Sequence, residues 1–315
     1  MKLSAEQNSF YVAFGQLPPF LGNNNFQYVR SSDNLYDCLK DQIPKEPVGL
    51  MLSSGRDSMI LASLLPKGSI AYTARANGRR DESIHASIIS EKLGLTHKAI
   101  EIERGDYREN IPEMFYKDPL ATCPWTYKIV KQAKMDGFNY IVSGTGTLAS
   151  FGEEAEKHDY QNEPQEFLRR WSRLDPERIL VDFVPLALLC KDYIVDGKID
   201  TLDFMRYGRG EFITEKKTIE FLGLKQLNPY KAVRIDLDFE RAKSEGKYMM
   251  SELYEKLYSE KAPPKRSPAV VDYKEWFSDW IPSHPNFRSD IDLTKLENRR
   301  WQLYKLEKYW EMSGS

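Results

Sequence analysis

Two hydrophobic patterns alternate between residues 48 and 143. Short apolar runs that end in small residues predict strands, and segments with apolar positions at helical spacing predict helices. The predicted strands are 48–52, 69–73, 97–102 and 139–143, and the predicted helices are 59–65, 81–93 and 125–135. Strands that alternate with helices in this way predict βαβ units and a parallel sheet, so the fold class is α/β.

The remaining segments differ in texture from this alternating region. Residues 1–45 read as a lead-in, with loop signals at 18–19 and 23–25 and one short helix at 33–41. They are followed by the α/β region at 46–155. After residue 155 strand signals are few, and a mainly helical region is expected to close over the sheet. Its predicted helices are 164–174, 176–189, 214–222, 247–258 and 293–312.

Composition and charge narrow the functional classes. The 315 residues suggest one large domain or two modest ones. Lys and Arg total 45 against 47 Asp and Glu, so the net charge of −2 argues against a chain that coats nucleic acid or an anionic membrane. Nucleic-acid partners are therefore not expected, although a local basic patch is compatible with this balance.

Cysteine usage and hydropathy indicate the compartment. The three cysteines are widely spaced and form no C-x-x-C pair, which predicts neither a zinc site nor a disulfide framework. Residues 1–7 show no signal peptide, and the most apolar stretch, 179–190, is shorter than the ~20 residues that span a bilayer. We expect a reduced, cytoplasmic protein without a membrane partner.

The first candidate site is the loop at 53–58, S-S-G-R-D-S, which follows a predicted strand and opens a helix. Ligands bind at the carboxyl ends of parallel strands, and helix N-terminal amides with serine hydroxyls suit an anion. Asp57 would repel a bare phosphate, so its place here favours a bridging Mg²⁺ ion. A Walker A motif is excluded because no Gly-Lys-Ser/Thr follows. The plainer alternative is a helix N-terminus capped by serine and aspartate.

This loop resembles the S-G-G-x-D-S signature of the pyrophosphate-loop (PP-loop) ATP pyrophosphatases, with Ser54 in place of one glycine. The loop at 143–152 resembles the S-G-x-G-x-D-E-x-F-G pattern of their asparagine synthetase branch. The positions in register are Ser143, Gly144, Gly146, Phe151 and Gly152. A G-x-G-x-x-A dinucleotide fingerprint also fits, but the loop follows a late strand and lacks the acidic residue about 20 positions on.

Further segments fall in the order that the asparagine synthetase family shows, so the resemblance covers about residues 45–312. These segments are 81–82, 93–94, 97, 118–119, 228–230, 247–257, 263–266, 276–277 and 300–310. The resemblance implies a PP-loop parallel-sheet domain of the adenine nucleotide α-hydrolase type. It also implies an ATP-dependent, AMP-forming ligase with ATP and Mg²⁺ as cofactors, which adenylates the carboxylate of a small molecule or peptide and transfers the acyl group to ammonia or an amine.

The resemblance also implies roles for individual residues. Asp57 would hold Mg²⁺, and Lys265 and Lys247 would be the catalytic cations, in acyl transfer and near the phosphates respectively. Alone, each lysine would more commonly lie on the surface. The implied ATP and pyrophosphate site comprises Ser53, Ser54, Gly55, Arg56, Asp57 and Ser58, with Ser143 and Gly144 at the adenosine end.

The sequence departs from the family at its start. Full asparagine synthetases begin with a glutaminase domain whose nucleophile is the cysteine after Met1, and here Lys2 follows Met1. We therefore expect no glutamine hydrolysis. The amine would come from free ammonia, a separate glutaminase or an amine-bearing substrate.

Two departures lie in the second loop. Leu148 and Ala149 stand at the acidic positions of the pattern, so metal binding is expected to be weaker, and a degenerate nucleotide-binding or interaction subunit is an alternative. Thr145 stands where β-lactam formers carry a tyrosine that works with a glutamate as base, and the sequence identifies no general base.

An RNA-modifying PP-loop enzyme is a further alternative, which the charge balance disfavours. The C-terminal aromatics are predicted to be core, and 295–308 a solvated helix face.

Overall fold

The computed structural model describes residues 2–15, 29–30, 35–76, 81–116, 123–145, 161–200, 210–234, 238–263, 271–296 and 299–314. In chain order the strands are β1 (Val29–Arg30), β2 (Gly49–Met51), β3 (Ile70–Ala76), β4 (Thr96–Ile102), β5 (Tyr140–Val142), β6 (Gln161–Asn162), β7 (Ile194–Val195), β8 (Lys198–Asp200), β9 (Lys225–Leu227) and β10 (Val233–Arg234).

The α-helices are α1 (Ala5–Phe14), α2 (Leu35–Lys40), α3 (Arg56–Leu64), α4 (Ser83–Lys92), α5 (Pro124–Met135), α6 (Pro164–Trp171), α7 (Leu186–Leu189), α8 (Gly210–Phe221), α9 (Pro229–Ala232), α10 (Phe239–Glu245), α11 (Tyr248–Tyr258), α12 (Tyr273–Trp276) and α13 (Arg300–Ser313). Short 3-10 turns occupy Arg104–Tyr107, Glu113–Tyr116, Pro176–Arg178, Lys191–Tyr193 and Leu293–Lys295.

A parallel sheet of five strands, in the order β4-β3-β2-β5-β9, organises the described residues. In register, Gly49 of β2 lies opposite Ile70 of β3 on one side and Ile141 of β5 on the other. The central strand β2 is buried throughout because helices cover both faces of a parallel sheet. One apolar cluster contains side chains of α3, α4 and α11, and a second contains those of α5 and α8. The predicted α/β fold with a parallel sheet is confirmed.

The elements of the alternating region match the predictions closely. Each of the four predicted strands and three predicted helices is present, and their ends differ by at most 3 residues. Gly94 follows α4 with a positive φ of 66°, as a glycine after a helix C-terminus should. None of the helices in the described ranges has the length and apolar content that a bilayer-crossing helix requires.

Three expectations about the flanking regions differ from the structure. The lead-in contains α1, a helix that the sequence pattern did not predict. The segment 176–189 is not one helix, because Leu180 pairs as an isolated bridge with Phe287 and only a 3-10 turn and the short α7 form there. The third expectation, few strands after residue 155, missed β9, which pairs with β5 in the main sheet.

The two helices α1 and α13 are bonded to each other. Ser4 and Gln7 form a capping box that starts α1. The Gln302 amide of α13 donates to the carbonyls of Tyr11 and Val12 at 2.7 and 2.9 Å. Both helices are therefore internal elements of the fold, and the last helical segment is tied to the first.

Helix α13 contains two buried charged residues, Lys305 and Glu307, which are 8% and 2% exposed. The prediction that residues 295–308 form a solvated helix face is therefore wrong. The Glu307 carboxylate accepts hydrogen bonds from Trp280 Nε1 at 2.6 Å and from the Ser283 and His284 amides at 2.7 and 2.9 Å. The expectation that the C-terminal aromatics form core is confirmed. These buried residues are Trp276, Trp280, Trp301, Tyr304, Tyr309 and Trp310.

Candidate active site

The first loop joins β2 to α3 at the carboxyl edge of the sheet. The Ser58 hydroxyl accepts from the Ser53 amide at 3.0 Å and lies 3.0 Å from the Gly55 carbonyl. The Ser53 hydroxyl in turn accepts from the Gly55 amide at 3.2 Å. Gly55 is the N-cap of α3 and makes no side-chain cap, so the plainer interpretation of a serine or aspartate cap is wrong. The serines instead fold the loop tightly around the start of the helix.

Asp57 and Lys247 form an ion pair at this loop although 190 residues separate them. The Lys247 Nζ lies 2.6 Å from Asp57 Oδ2, and the side chains are 4% and 23% exposed. The other carboxylate oxygen, Oδ1, lies 3.7 Å from Arg56 Nε. Asp57 belongs to the first turn of α3, where the helix dipole also favours a negative charge.

Helix α11 brings Lys247 to the loop. Lys247 is the N-cap residue of α11, which packs against α3. The Tyr258 hydroxyl donates to the Met59 carbonyl of α3 at 2.6 Å, and Arg56 donates to Ser251. The lysine is therefore placed by helix packing and not by the loop itself.

The second predicted loop begins beside the first. The Ser143 amide donates to the Leu227 carbonyl at 2.9 Å, which continues the pairing of β5 with β9. A Cβ built on Gly144 would lie 3.7 Å from the Ser58 amide nitrogen and 3.7 Å from the Tyr230 ring. The two strand ends that the sequence analysis singled out therefore meet.

Tyr230 contacts both loops, since its hydroxyl bonds to Asp57 and its ring lies beside Gly144. Its hydroxyl donates to the Asp57 carbonyl at 2.6 Å. Burial raises the pKa of Tyr230 well above its usual value, so the phenol stays protonated and remains a donor. The family resemblance includes residues 228–230 but implies no role for Tyr230.

A buried carboxylate, Glu215 of α8, supports the second loop and was missed by the sequence analysis. The Thr145 hydroxyl donates to Glu215 Oε2 at 2.6 Å, and the Gln226 amide donates to Oε1 at 2.5 Å. The Ser143 hydroxyl donates to Thr145 Oγ1 at 3.0 Å. Thr145 thus has a glutamate partner that no local pattern could reveal, because 70 residues separate the two.

A second carboxylate, that of Glu82, contacts the first loop. The Ser54 hydroxyl donates to Glu82 Oε1 at 2.9 Å, and the Ser54 amide lies 3.4 Å from Oε2. Glu82 is the residue that precedes α4. The family pattern had pointed to positions 81–82, but it gave Glu82 no function.

Several predicted site residues fall outside the described residues. Lys265 is one of them, and its predicted role stays a prediction. The others are the second-loop positions Gly146, Leu148, Ala149, Phe151 and Gly152.

The donor set can be tested against a magnesium ion. Asp57 offers a partly exposed carboxylate whose present neighbours, Lys247 and Arg56, are both cations. Within the described ranges, no group of three or more His, Cys, Asp and Glu side chains could hold a metal ion. The residues present fit Mg²⁺ held by one protein carboxylate, with phosphate and water oxygens completing its coordination.

Comparison with known proteins agrees with this geometry. Among curated proteins, none matches the sequence. The sequence model of the family described as asparagine synthase matches residues 31–265, which is more than half of the chain and includes both loops, Asp57 and Lys247. The chain therefore belongs to the asparagine synthase family, a family of ATP-dependent amidotransferases and ligases.

Proposed function

We propose that the protein is an ATP-dependent, AMP-forming amide ligase that activates a carboxylate and transfers the acyl group to ammonia or an amine. The observation that carries this proposal is the Asp57–Lys247 pair at the PP-loop, 2.6 Å apart and beside the start of the second loop. Such a pair offers one group for a metal ion and one for a phosphate at the same strand end.

The reaction has two steps. A carboxylate oxygen of the substrate attacks the α-phosphorus of ATP, the bond from that phosphorus to the β-phosphate bridging oxygen breaks, and pyrophosphate leaves. An amine then attacks the acyl carbon, AMP departs with the former carboxylate oxygen, and the amine nitrogen loses a proton. Both partners of the first step are anions, so cations fixed at the site lower its barrier.

The first loop supplies the pyrophosphate subsite. The amides and hydroxyls of Ser53, Ser54, Gly55 and Ser58 cluster at the N-terminus of α3, where helix amides favour anions. Asp57 would hold the Mg²⁺ ion, which when bound neutralises phosphate charge. Lys247 supplies a nearly buried ammonium from the protein itself, and Arg56 a third positive group.

The remaining roles follow the family pattern. Ser143 and Gly144 line the adenosine end, since they lie at the adjacent strand end. Lys265 stabilises charge during acyl transfer. The amine reaches the site as ammonia, from a separate glutaminase or as part of the substrate.

Calorimetry of Mg·ATP binding tests the proposal, together with an assay for AMP and pyrophosphate release. Asp57→Ala should abolish metal-dependent ATP binding, whereas Asp41→Ala, which removes an exposed aspartate, should leave it unchanged. Equal binding by both variants would contradict the metal role of Asp57. No binding at millimolar ATP would favour the degenerate subunit, and AMP formation that requires RNA would favour the RNA-modifying alternative.

A further inference from the structure

The Glu82 carboxylate is bound to donors of the first loop that the proposed function assigns to pyrophosphate. Its two carboxylate oxygens face the hydroxyl and the amide of Ser54, at 2.9 and 3.4 Å. Ser54 is only 1% exposed, so these donors depend on an acceptor from the protein or from a ligand. In the structure the carboxylate is that acceptor.

The start of α4 holds Glu82 in this place. Asp81 Oδ1 accepts from the Ser83 amide at 2.9 Å and from the Ser83 hydroxyl, which fixes the first turn of the helix. Asp81 Oδ2 also lies 3.8 Å from Arg75 of β3. Asp81 is therefore occupied by its own partners, and Glu82 is the carboxylate directed to the loop.

The loop is thus charge-paired before any ligand binds. Glu82 supplies an anion to the donors of Ser54, and Lys247 supplies a cation to Asp57. A pyrophosphate group brings its own anionic oxygens to the same donors. Because a carboxylate and a phosphate repel each other and compete for the same donors, both cannot occupy Ser54.

We propose that Glu82 is an internal competitor of the substrate's pyrophosphate group, which must displace its carboxylate from Ser54 to bind. This inference rests on the proposed function, because it names a residue that sets the affinity of that same site. Glu82 would restrict the loop to ligands that offer more anionic oxygens than one carboxylate does. A ligand without a pyrophosphate group, such as AMP, would not compete with the Glu82 carboxylate for Ser54.

The test is calorimetric binding of inorganic pyrophosphate, ATP and AMP, each with Mg²⁺, to the full chain and to Glu82→Gln. The glutamine oxygen can still accept from Ser54, but it lacks the charge that strengthens a hydrogen bond. The variant should therefore bind pyrophosphate and ATP about tenfold more tightly, with AMP affinity unchanged. Glu91→Gln is the matched control, since it removes an exposed charge from the same helix. It should change none of the three affinities.

A second arm isolates the contact with Ser54. In a Ser54→Ala background, the gain caused by Glu82→Gln should shrink, because one of the two contested donors is already gone. Thermal unfolding of each variant checks that the fold is kept.

The outcomes separate this inference from the proposed function. If the unmodified protein binds Mg·ATP and Glu82→Gln weakens or preserves pyrophosphate binding, Glu82 positions Ser54 and the competition is refuted, while the ligase proposal stands. An equal gain for AMP would also refute it, because the effect would then be general. If neither protein binds pyrophosphate or ATP, both proposals fail.

Discussion

Replacing Lys247 with methionine removes the ammonium that lies 2.6 Å from Asp57 and keeps a flexible side chain of similar reach. The Lys247 side chain is 4% exposed, so the Asp57 carboxylate would lose a cation in a site with little water. Removing one partner of a buried pair costs about 3–5 kcal/mol in the free energy of unfolding. Asp57 is 23% exposed and keeps Arg56 at 3.7 Å and the dipole of α3, so we expect a loss of about 2 kcal/mol.

Urea denaturation of the purified variants measures this loss through the transition midpoint at constant slope. Lys243→Met is the control, because it breaks an exposed pair with Glu240 on α10 and should cost at most about 0.5 kcal/mol. The double variant Asp57→Asn/Lys247→Met should recover stability relative to Lys247→Met, since no uncompensated carboxylate is left. If Lys247→Met is as stable as the control, or the double variant is no more stable than the single one, the pair is not the coupled unit that the geometry indicates.

Two other predictions concern buried groups of the helical region. Glu307→Ala should lower the free energy of unfolding by about 3 kcal/mol and change the Trp280 fluorescence, because the indole and two backbone amides lose their acceptor. Urea denaturation measures the loss, and a value below about 1 kcal/mol, as for a surface substitution, would contradict this prediction. Burial raises the pKa of the Cys190 thiol to about 12, so its reactive thiolate is suppressed below that pH. Iodoacetamide should therefore label Cys190 at pH 9 only after unfolding in urea, and mass-spectrometric detection of native labelling would refute the prediction.

The alternating α/β region could be predicted from the sequence because its strands are apolar runs bounded by small residues. Strand β9 gives no such signal, since Lys225, Gln226 and Leu227 at the edge of the sheet are only partly buried or exposed. Helix α1 was missed for the opposite reason. Its residues from Ser9 to Phe14 are buried without interruption, so they show no polar face at helical spacing.

The part of the candidate site that lies in the two loops could be predicted from the sequence. The resemblance to the asparagine synthetase family implies that Asp57 and Lys247 both lie near the phosphates, and the structure brings the two side chains into contact. The contact of Thr145 with Glu215 could not be predicted, because α8 meets the second loop only through its packing against α5 and β9. The burial of Glu307 could not be predicted either. It depends on the indole of Trp280 and on the amides of Ser283 and His284, which donate to the Glu307 carboxylate from outside α13.

The bonds between α13 and α1 have a consequence for synthesis on the ribosome. Gln302 donates to Tyr11 across a separation of 291 residues. At ~5–20 residues per second, translation leaves the apolar face of α1 without this partner for about 15–60 s. During nearly the whole of elongation, the side of α1 that contacts α13 therefore lacks this partner. Docking of α1 against α13 is therefore a late folding event. A chain that stops before residue 300 would leave the Tyr11 and Val12 carbonyls without the Gln302 amide, whereas Phe10 and Phe14 still pack against α6 and α7.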